Sequence, residues 1–403
     1  MKHEPCGAKK EISDFPTDCH MQNFTVSFDY PVYFSRDIFH PENPLLASVV
    51  DRRKELRRHR LKVFIDSGIV ESGNDFPQSV RDYMESRPEV LEMEGAMEIV
   101  PGGARAKNDR NLVRHIMKTM ADSHLCRQSY VLAIGGGSVL DMVGLAASLV
   151  HRGVRLIRVP STVLAQNDAG VGVKNGIDDY GMKNFAGTFS PPFAVLNDFS
   201  LLGTLPGKHW IGGIAEAFKV AIIRDPEFFD FLSQNAEKFA QRDATAIETT
   251  IKRCAMLHLE HIRNSGDPFE FGSARPLDFG HWSAHRLEVL SEHRIGHGQA
   301  VAIGIALDTC YAHRMGMLTS GEQDAVIDAL ETTGLPFFSD ILERKNADGS
   351  LEILKGLDDF QEHLGGSLNV TLPIAMGRKI EVHEMDKSVI IEAIAYLKKR
   401  ASR

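Results

Sequence analysis

The chain has 403 residues, 43% hydrophobic and 25% charged, enough for two domains that each bury a core, which excludes intrinsic disorder for the bulk of it. Forty-six Lys and Arg against 54 Asp and Glu give a formal charge of −8, so the molecule as a whole should not attract phosphate polymers and no nucleic-acid partner is expected. No apolar run approaches the roughly 18 residues of a membrane span, and the first residues, MKHEPCGAKKEISDFPTDCH, lack the apolar centre of a secretory signal, so the expectation is a cytoplasmic protein without a membrane partner. Cys6, Cys19, Cys126, Cys254 and Cys310 are odd in number, widely spread and free of any CxxC pair, as reduced thiols would be.

Residues 1–22 read as a flexible polar tail. FTVSFDYPVYF then alternates Phe24, Val26 and Phe28 with smaller residues before Pro31, which suits an edge hairpin. The basic stretch RRKELRRHR at 52–60 has helical character and reads as a solvated helix face. LKVFIDSGI at 61–69, SYVLAIGGGSVLD at 129–141 and VRLIRVPST at 154–162 are short apolar runs separated by amphipathic helical sequence, the rhythm of βαβ units in a parallel sheet. After Pro191 and Pro192 comes one more strand-like run, FAVLND. From His209 to about Asn264, and from Phe279 to Gly316, apolar residues recur three and four apart, so this half is expected to be helical. The predicted fold is an α/β N-terminal dinucleotide-binding domain with a Rossmann-like parallel sheet (23–200), followed by an all-α C-terminal metal-binding domain (201–403).

Three groups of residues carry chemistry. Gly135, Gly136, Gly137 and Ser138 close an apolar strand, with Asp141 following where a helix starts; glycines let a backbone approach a pyrophosphate, and helix-start N–H groups attract its charge. The spelling is not GxGxxG, and a tight structural turn remains the alternative. In the helical half, Glu216 and Lys219 share a helix face in GGIAEAFKVA, Asp278, His281 and His285 fall three and four apart in DFGHWSAHRLE, and His297 opens an apolar helix. One Glu with two His makes a catalytic zinc set; any one of these His residues alone reads rather as a satisfied core residue, but their concentration at glycine-flanked helix starts shifts the balance toward the metal. His258 and His261 in MLHLEHI have no third partner nearby in sequence, leaving structural and functional readings equally open. Finally, Asp168, Lys174, Lys183 and Asn184 lie in VPSTVLAQNDAGVGVKNG and GMKNFAGTF, where two Lys and an Asn could hold a phosphate or carboxylate, or simply form a surface loop.

In order and spacing, GGGSVLD, RGVRLIRVPSTVLAQNDAGVGVK, KNFAGTFSPPFAVLND, TLPGKHWIGGIAEAFK, DFGHWSAH and GHGQAVAIGIAL resemble the sugar phosphate cyclases typified by dehydroquinate synthase, over roughly residues 61–316 with a weaker trace in LGGSLNVTLP. The resemblance implies a dehydroquinate synthase-like fold, a homodimer, and an NAD- and zinc- or cobalt-dependent lyase acting on a small sugar phosphate. It assigns Asp66, Lys107, the Gly135–Ser138 turn, Asp141, Ser161, Thr162, Lys183, Thr204 and Leu205 to NAD. Glu216, His281 and His297 would hold the metal, and Asp168, Lys174, Asn184, Lys219, His258, Asp278 and His285 would surround the substrate.

Departures from dehydroquinate synthase concentrate at the positions that serve the substrate carboxylate. His258 stands for a Lys, Asp278 for an Asn and Ala274 for an Arg, with Arg275 one step away; an Asp there would repel a carboxylate. Ala104 and His209 replace Glu positions near NAD, while His285 is retained. DFGH and GGSLN look closer to the 2-epi-5-epi-valiolone synthase branch, and GDPFEFGSARPLDFGH to a cyclase type encoded in Ebo-type gene clusters. The expected function is phosphate elimination and cyclisation of a heptulose phosphate such as sedoheptulose 7-phosphate. The alternatives are a true 3-dehydroquinate synthase, a glycerol dehydrogenase-like metal alcohol dehydrogenase, which gives no reason for Lys174, Lys183 and Lys219, and a silent NAD- or metal-binding module.

Overall fold

A computed structural model describes residues 21–73, 75–270, 277–363 and 366–402. The expected tail at 1–22, except its last two residues, and Ala274 and Arg275 lie outside the described residues.

The strands of the first half are β1 (Val32–Ser35), β2 (His59–Asp66), β3 (Leu91–Met93), β4 (Glu98–Val100), β5 (Tyr130–Gly135), β6 (Arg155–Pro160) and β9 (Ala194–Asp198), in the order β1-β9-β6-β5-β2-β3 with β4 also beside β2. Every pairing among them is parallel. All six residues of β5 are buried, as a parallel strand covered on both faces requires. Period-two alternation sorts its neighbours: Val63, Ile65, Leu132 and Ile134 join one core, whereas Phe64, Val131 and Ala133 join the core on the opposite face. The helix Gly137–Leu149 crosses from β5 to β6, packing Val139, Leu140 and Val143 on that second face. Because the strands run parallel, the carboxyl ends of β2, β5 and β6 share one edge, and Asp66, Gly135 and Ser161 meet there. Between β6 and β9 the chain forms a separate antiparallel hairpin, β7 (Lys174–Asp179) and β8 (Met182–Phe189).

After β9 the chain is helical, as the three- and four-residue periodicity predicts, and builds its own large core around Phe218, Phe279, Trp282 and Ile303. To these helices the last part adds an antiparallel pair, β10 (Val370–Ala375) and β11 (Arg378–Val382), of which β10 includes the end of LGGSLNVTLP. No helix among the described residues is long and apolar enough to cross a membrane.

Two expectations are corrected. FTVSFDYPVYF forms no hairpin: residues 21–31 carry no strand, and β1 is the edge of the main sheet, parallel to β9 with Val32 opposite Val195. Its partner arrives over 150 residues later, which local alternation cannot show. RRKELRRHR is not a helix either: a turn at 51–53 leads through irregular chain into β2 at His59. Its charges are spent on ion pairs with distant residues, Arg52 with Asp29 and Glu55 with Arg155 at 2.6 Å, which periodicity does not report.

Candidate active site

The carboxyl edge of the sheet faces the helical half across a cleft of about 1090 Å³. Apart from Gly135 and Glu216, every residue the sequence singles out as a cofactor, substrate or metal ligand lines it; Glu216 lies fully buried beneath its floor.

On the sheet side, Asp66 ends β2 and caps the next helix through Gly68 N–H at 3.0 Å, while its Oδ2 accepts Gly136 N–H at 3.2 Å. The carboxylate is packed so closely that a Cβ on Gly102 would fall 2.4 Å from Asp66 Oδ1 and one on Gly135 2.9 Å from Asp66 Cβ. Only glycine fits this turn, which opens the Gly137–Leu149 helix toward the cleft with its uncompensated N–H groups. Asp141 is tied to Lys107 at 2.6 Å, and the same ammonium donates to Asn184 Oδ1 at 2.8 Å and Gly176 O at 3.1 Å. Lys107, Asp141 and Asn184 are therefore one cluster joining the helix to the β7–β8 hairpin.

Asp168 lies between β6 and the hairpin, and Lys174 begins β7. Asp168 falls in a π-turn, Ala165–Ala169, pinned by Gln166 donating to Pro160 O and Asp198 O and by Asn167 donating to Gly213 O. Arg158, fully buried, donates to Gly170 O, Gly172 O, Lys174 O and Asn175 Oδ1, so one guanidinium shapes the whole loop. Lys174 pairs with Glu270 at 2.5 Å.

On the helical side, Glu216 and Lys219 lie one turn apart on Ile214–Arg224, both buried and in direct ion contact. Burial opposes charge on Glu216, but Lys219 with His281 and His297 outweighs it and holds the carboxyl well below its usual range. Burial likewise opposes charge on Lys219, yet Glu216, then Asp168 and Asp278, keep its ammonium protonated, with the pKa raised. His281 begins the helix His281–Leu290, after Asp278 rather than on a common helical face with it, and His297 begins His297–Arg314. Their Nε2 atoms lie 3.6 and 3.5 Å from Glu216 Oε1. His281 is presented by Gly280, whose φ of +77° only glycine adopts readily and whose N–H bonds Asp308 at 3.0 Å; Trp282 Nε1 donates to the same carboxylate at 2.8 Å.

This donor set fits a divalent cation. One ligand atom each from Glu216, His281 and His297 lies within 4.8 Å of the others; Glu216 Oε2 carries the Lys219 contact, while Oε1, which faces both imidazoles, is buried without a hydrogen-bond partner among the described residues. Burial and nearby Lys219 lower the pKa of His281, which favours the neutral ligand form. Asp168, Glu216 and His258 form a second close group that shares Glu216 with the first; with Oε2 on the Lys219 ammonium, the remaining oxygen, Oε1, faces His281 and His297.

The reading of His258 as lacking a third partner is corrected. Buried on Ala244–Asn264, it sets Nδ1 3.3 Å from Asp168 Oδ1, and burial lowers its pKa although Asp168 opposes this. His285 lies with its ring 5.3 Å from that of His281, and burial, then Lys183, hold its pKa well below normal. Lys183, on β8, pairs with Glu288 and reaches within 3.4 Å of His297 Nδ1. Sequence reasoning missed Glu270, Arg158 and Glu288. Only Glu288 left a usable signal, standing three residues after His285 and seven after His281 on one helix face.

A sequence model of the 3-dehydroquinate synthase N-terminal family matches residues 97–212, and one of the 3-dehydroquinate synthase C-terminal family matches residues 213–356. The chain is 32% identical over 359 residues to the 2-epi-5-epi-valiolone synthase of Streptomyces glaucescens, covering 89% of this chain and 87% of that one. It is 31% identical over 314 residues to the 3-dehydroquinate synthase of Dichelobacter nodosus, covering 78% and 83%. The solved 2-epi-5-epi-valiolone synthase of Streptomyces hygroscopicus subsp. jinggangensis, with NAD+ and Zn2+ bound, superposes with a TM-score of 0.84 at 27% identity, covering 94% of this chain and 100% of that one.

Proposed function

The chain belongs to the 3-dehydroquinate synthase family and is an enzyme of the sugar phosphate cyclase class, and on that premise we propose that its substrate is a neutral heptulose phosphate such as sedoheptulose 7-phosphate. It uses NAD and one divalent metal, zinc or cobalt, and works as a cytoplasmic homodimer. The observation that carries the substrate assignment is the charge around Lys219. Its ammonium is faced by Glu216, Asp168 and Asp278, so the wall beside the metal set is already acidic and offers hydrogen-bond acceptors to hydroxyls rather than a net cation to a carboxylate.

When bound, NAD supplies a reversible hydride acceptor and the metal a Lewis acid for the hydroxyl being oxidised, so that the neighbouring C–H becomes acidic enough for phosphate to leave. The helix opening at Gly137 would receive the pyrophosphate of NAD, beside the glycine turn and Thr162. Glu216, His281 and His297 would hold the metal, with Lys219 keeping Glu216 ionised and donating toward the substrate. Lys174 and Lys183, each held in place by a glutamate, supply the positive charge that a phosphate dianion needs as it binds and departs. Asp168, oriented by His258, and Asp278 accept hydrogen bonds from the polyol end.

The test is phosphate release by the purified protein with NAD and zinc, comparing sedoheptulose 7-phosphate with the acidic seven-carbon precursor of dehydroquinate. Turnover confined to the neutral ketose is expected. Efficient turnover of the acidic substrate, or rescue of a strain lacking 3-dehydroquinate synthase, would return the chain to that activity.

A further inference from the structure

Glu288 lies two helical turns beyond His281 on the helix His281–Leu290 and is buried. A single oxygen, Oε2, meets two groups from different parts of the chain: Nδ1 of His297 at 2.9 Å and the ammonium of Lys183 on β8. Against an ionised carboxylate the Nδ1 of His297 must be the donor, which leaves the lone pair on Nε2, the atom 3.5 Å from Glu216 Oε1. His281 has a weaker version of the same arrangement, its Nδ1 lying 3.1 Å from the carbonyl of Phe279. The two metal-facing imidazoles therefore differ: one is oriented by a neutral backbone acceptor, the other by a buried charge.

We infer that Glu288 is a positioning residue of the metal centre, fixing the tautomer and ring plane of His297 and raising its donor strength, while Lys183 anchors that carboxylate to the β7–β8 hairpin. Outer carboxylates of this kind typically alter metal affinity by about 10- to 100-fold. The inference rests on His297 being a metal ligand, as proposed above. The competing reading is that Glu288 serves only as the ion-pair partner of Lys183, joining the two halves of the molecule.

The experiment measures zinc affinity of the full-length chain by competition with a chromophoric chelator, and the visible absorption of the cobalt-loaded protein. Glu288→Gln preserves shape and an acceptor oxygen but removes the charge, and is expected to weaken zinc binding about 10-fold and to shift the cobalt bands; Glu288→Ala should approach 100-fold. Circular dichroism establishes that each variant is folded, and the isosteric Gln variant keeps the test open if Ala is not. Lys183→Met removes the anchor but leaves the Glu288–His297 bond in place, and should lose clearly less zinc affinity than Glu288→Gln. A loss in Lys183→Met equal to that in Glu288→Gln would assign the effect to packing between the halves and overturn the inference. Unchanged zinc affinity and cobalt spectra in Glu288→Gln and Glu288→Ala would overturn it too, provided His297→Ala loses metal. If His297→Ala also binds zinc normally, the ligand assignment itself fails.

Discussion

His258 Nδ1 lies 3.3 Å from Asp168 Oδ1, joining the middle of the Ala244–Asn264 helix to the π-turn at the mouth of the sheet. The contact orients the imidazole so that Nε2, buried and without a hydrogen-bond partner among the described residues, is left for a bound hydroxyl. A buried group without a partner costs about 1–3 kcal/mol, which a substrate hydroxyl can offset.

His258→Ala should therefore lower kcat/KM for the neutral ketose phosphate roughly 10-fold, mainly through KM, corresponding to about 1.5 kcal/mol for one hydrogen bond. Introducing a cation with His258→Lys together with Asp278→Asn should move preference toward the acidic seven-carbon substrate. Steady-state kinetics with both substrates measure the ratio. An unaltered ratio in the double variant would show that these two residues do not set substrate polarity.

Glu216→Gln should reduce zinc affinity strongly, because it removes the charged ligand and leaves Lys219 buried without its nearest counter-charge. The double variant His281→Ala, His297→Ala should bind no stoichiometric metal by elemental analysis, and activity lost on chelation should return with zinc or cobalt. Full metal occupancy in the double variant would refute the assignment.

NAD should be required but not consumed. Phosphate release followed beside absorbance of NADH is expected to proceed with no accumulation of the reduced cofactor. Stoichiometric NADH would favour the metal alcohol dehydrogenase reading.

Asp308 governs a pH effect on stability. Burial pushes its carboxyl up to about 7 from the ordinary 3.8, against the bonds from Trp282 and Gly280 that lower it. A pKa raised on folding means that the native state binds the extra proton, so this group's contribution is fully present below its unfolded pKa and is lost as pH rises through about 7. Asp308→Asn should flatten the decline in stability over that interval. It should also cost about 1–3 kcal/mol overall, because the new amide turns a donor toward either Trp282 Nε1 or Gly280 N–H. Urea unfolding at a series of pH values reads both effects, and an unchanged slope would show that Asp308 does not titrate there.

Local pattern was enough for much of the architecture. The apolar runs beginning at 61, 129 and 154 contain the strands β2, β5 and β6, since burial on both faces needs apolar sequence, and Gly135 marks the turn because Asp66 and Val139 leave no room for a Cβ there. Glu216, Lys219, His281 and His297 were visible because helix geometry and glycine-flanked helix starts bring such residues out at recognisable spacings. The same local reading failed for residues 24–34 and 52–60, where the deciding partners, β9 and Arg155, are distant in the chain. It also could not pair Lys183 with Glu288, 105 residues away, or His258 with Asp168. Periodicity reports which face of an element is buried, but a charge is satisfied by whatever the packed chain places within a few ångströms. Which carboxylate orients which imidazole was therefore decided only when the sheet edge closed against the helices.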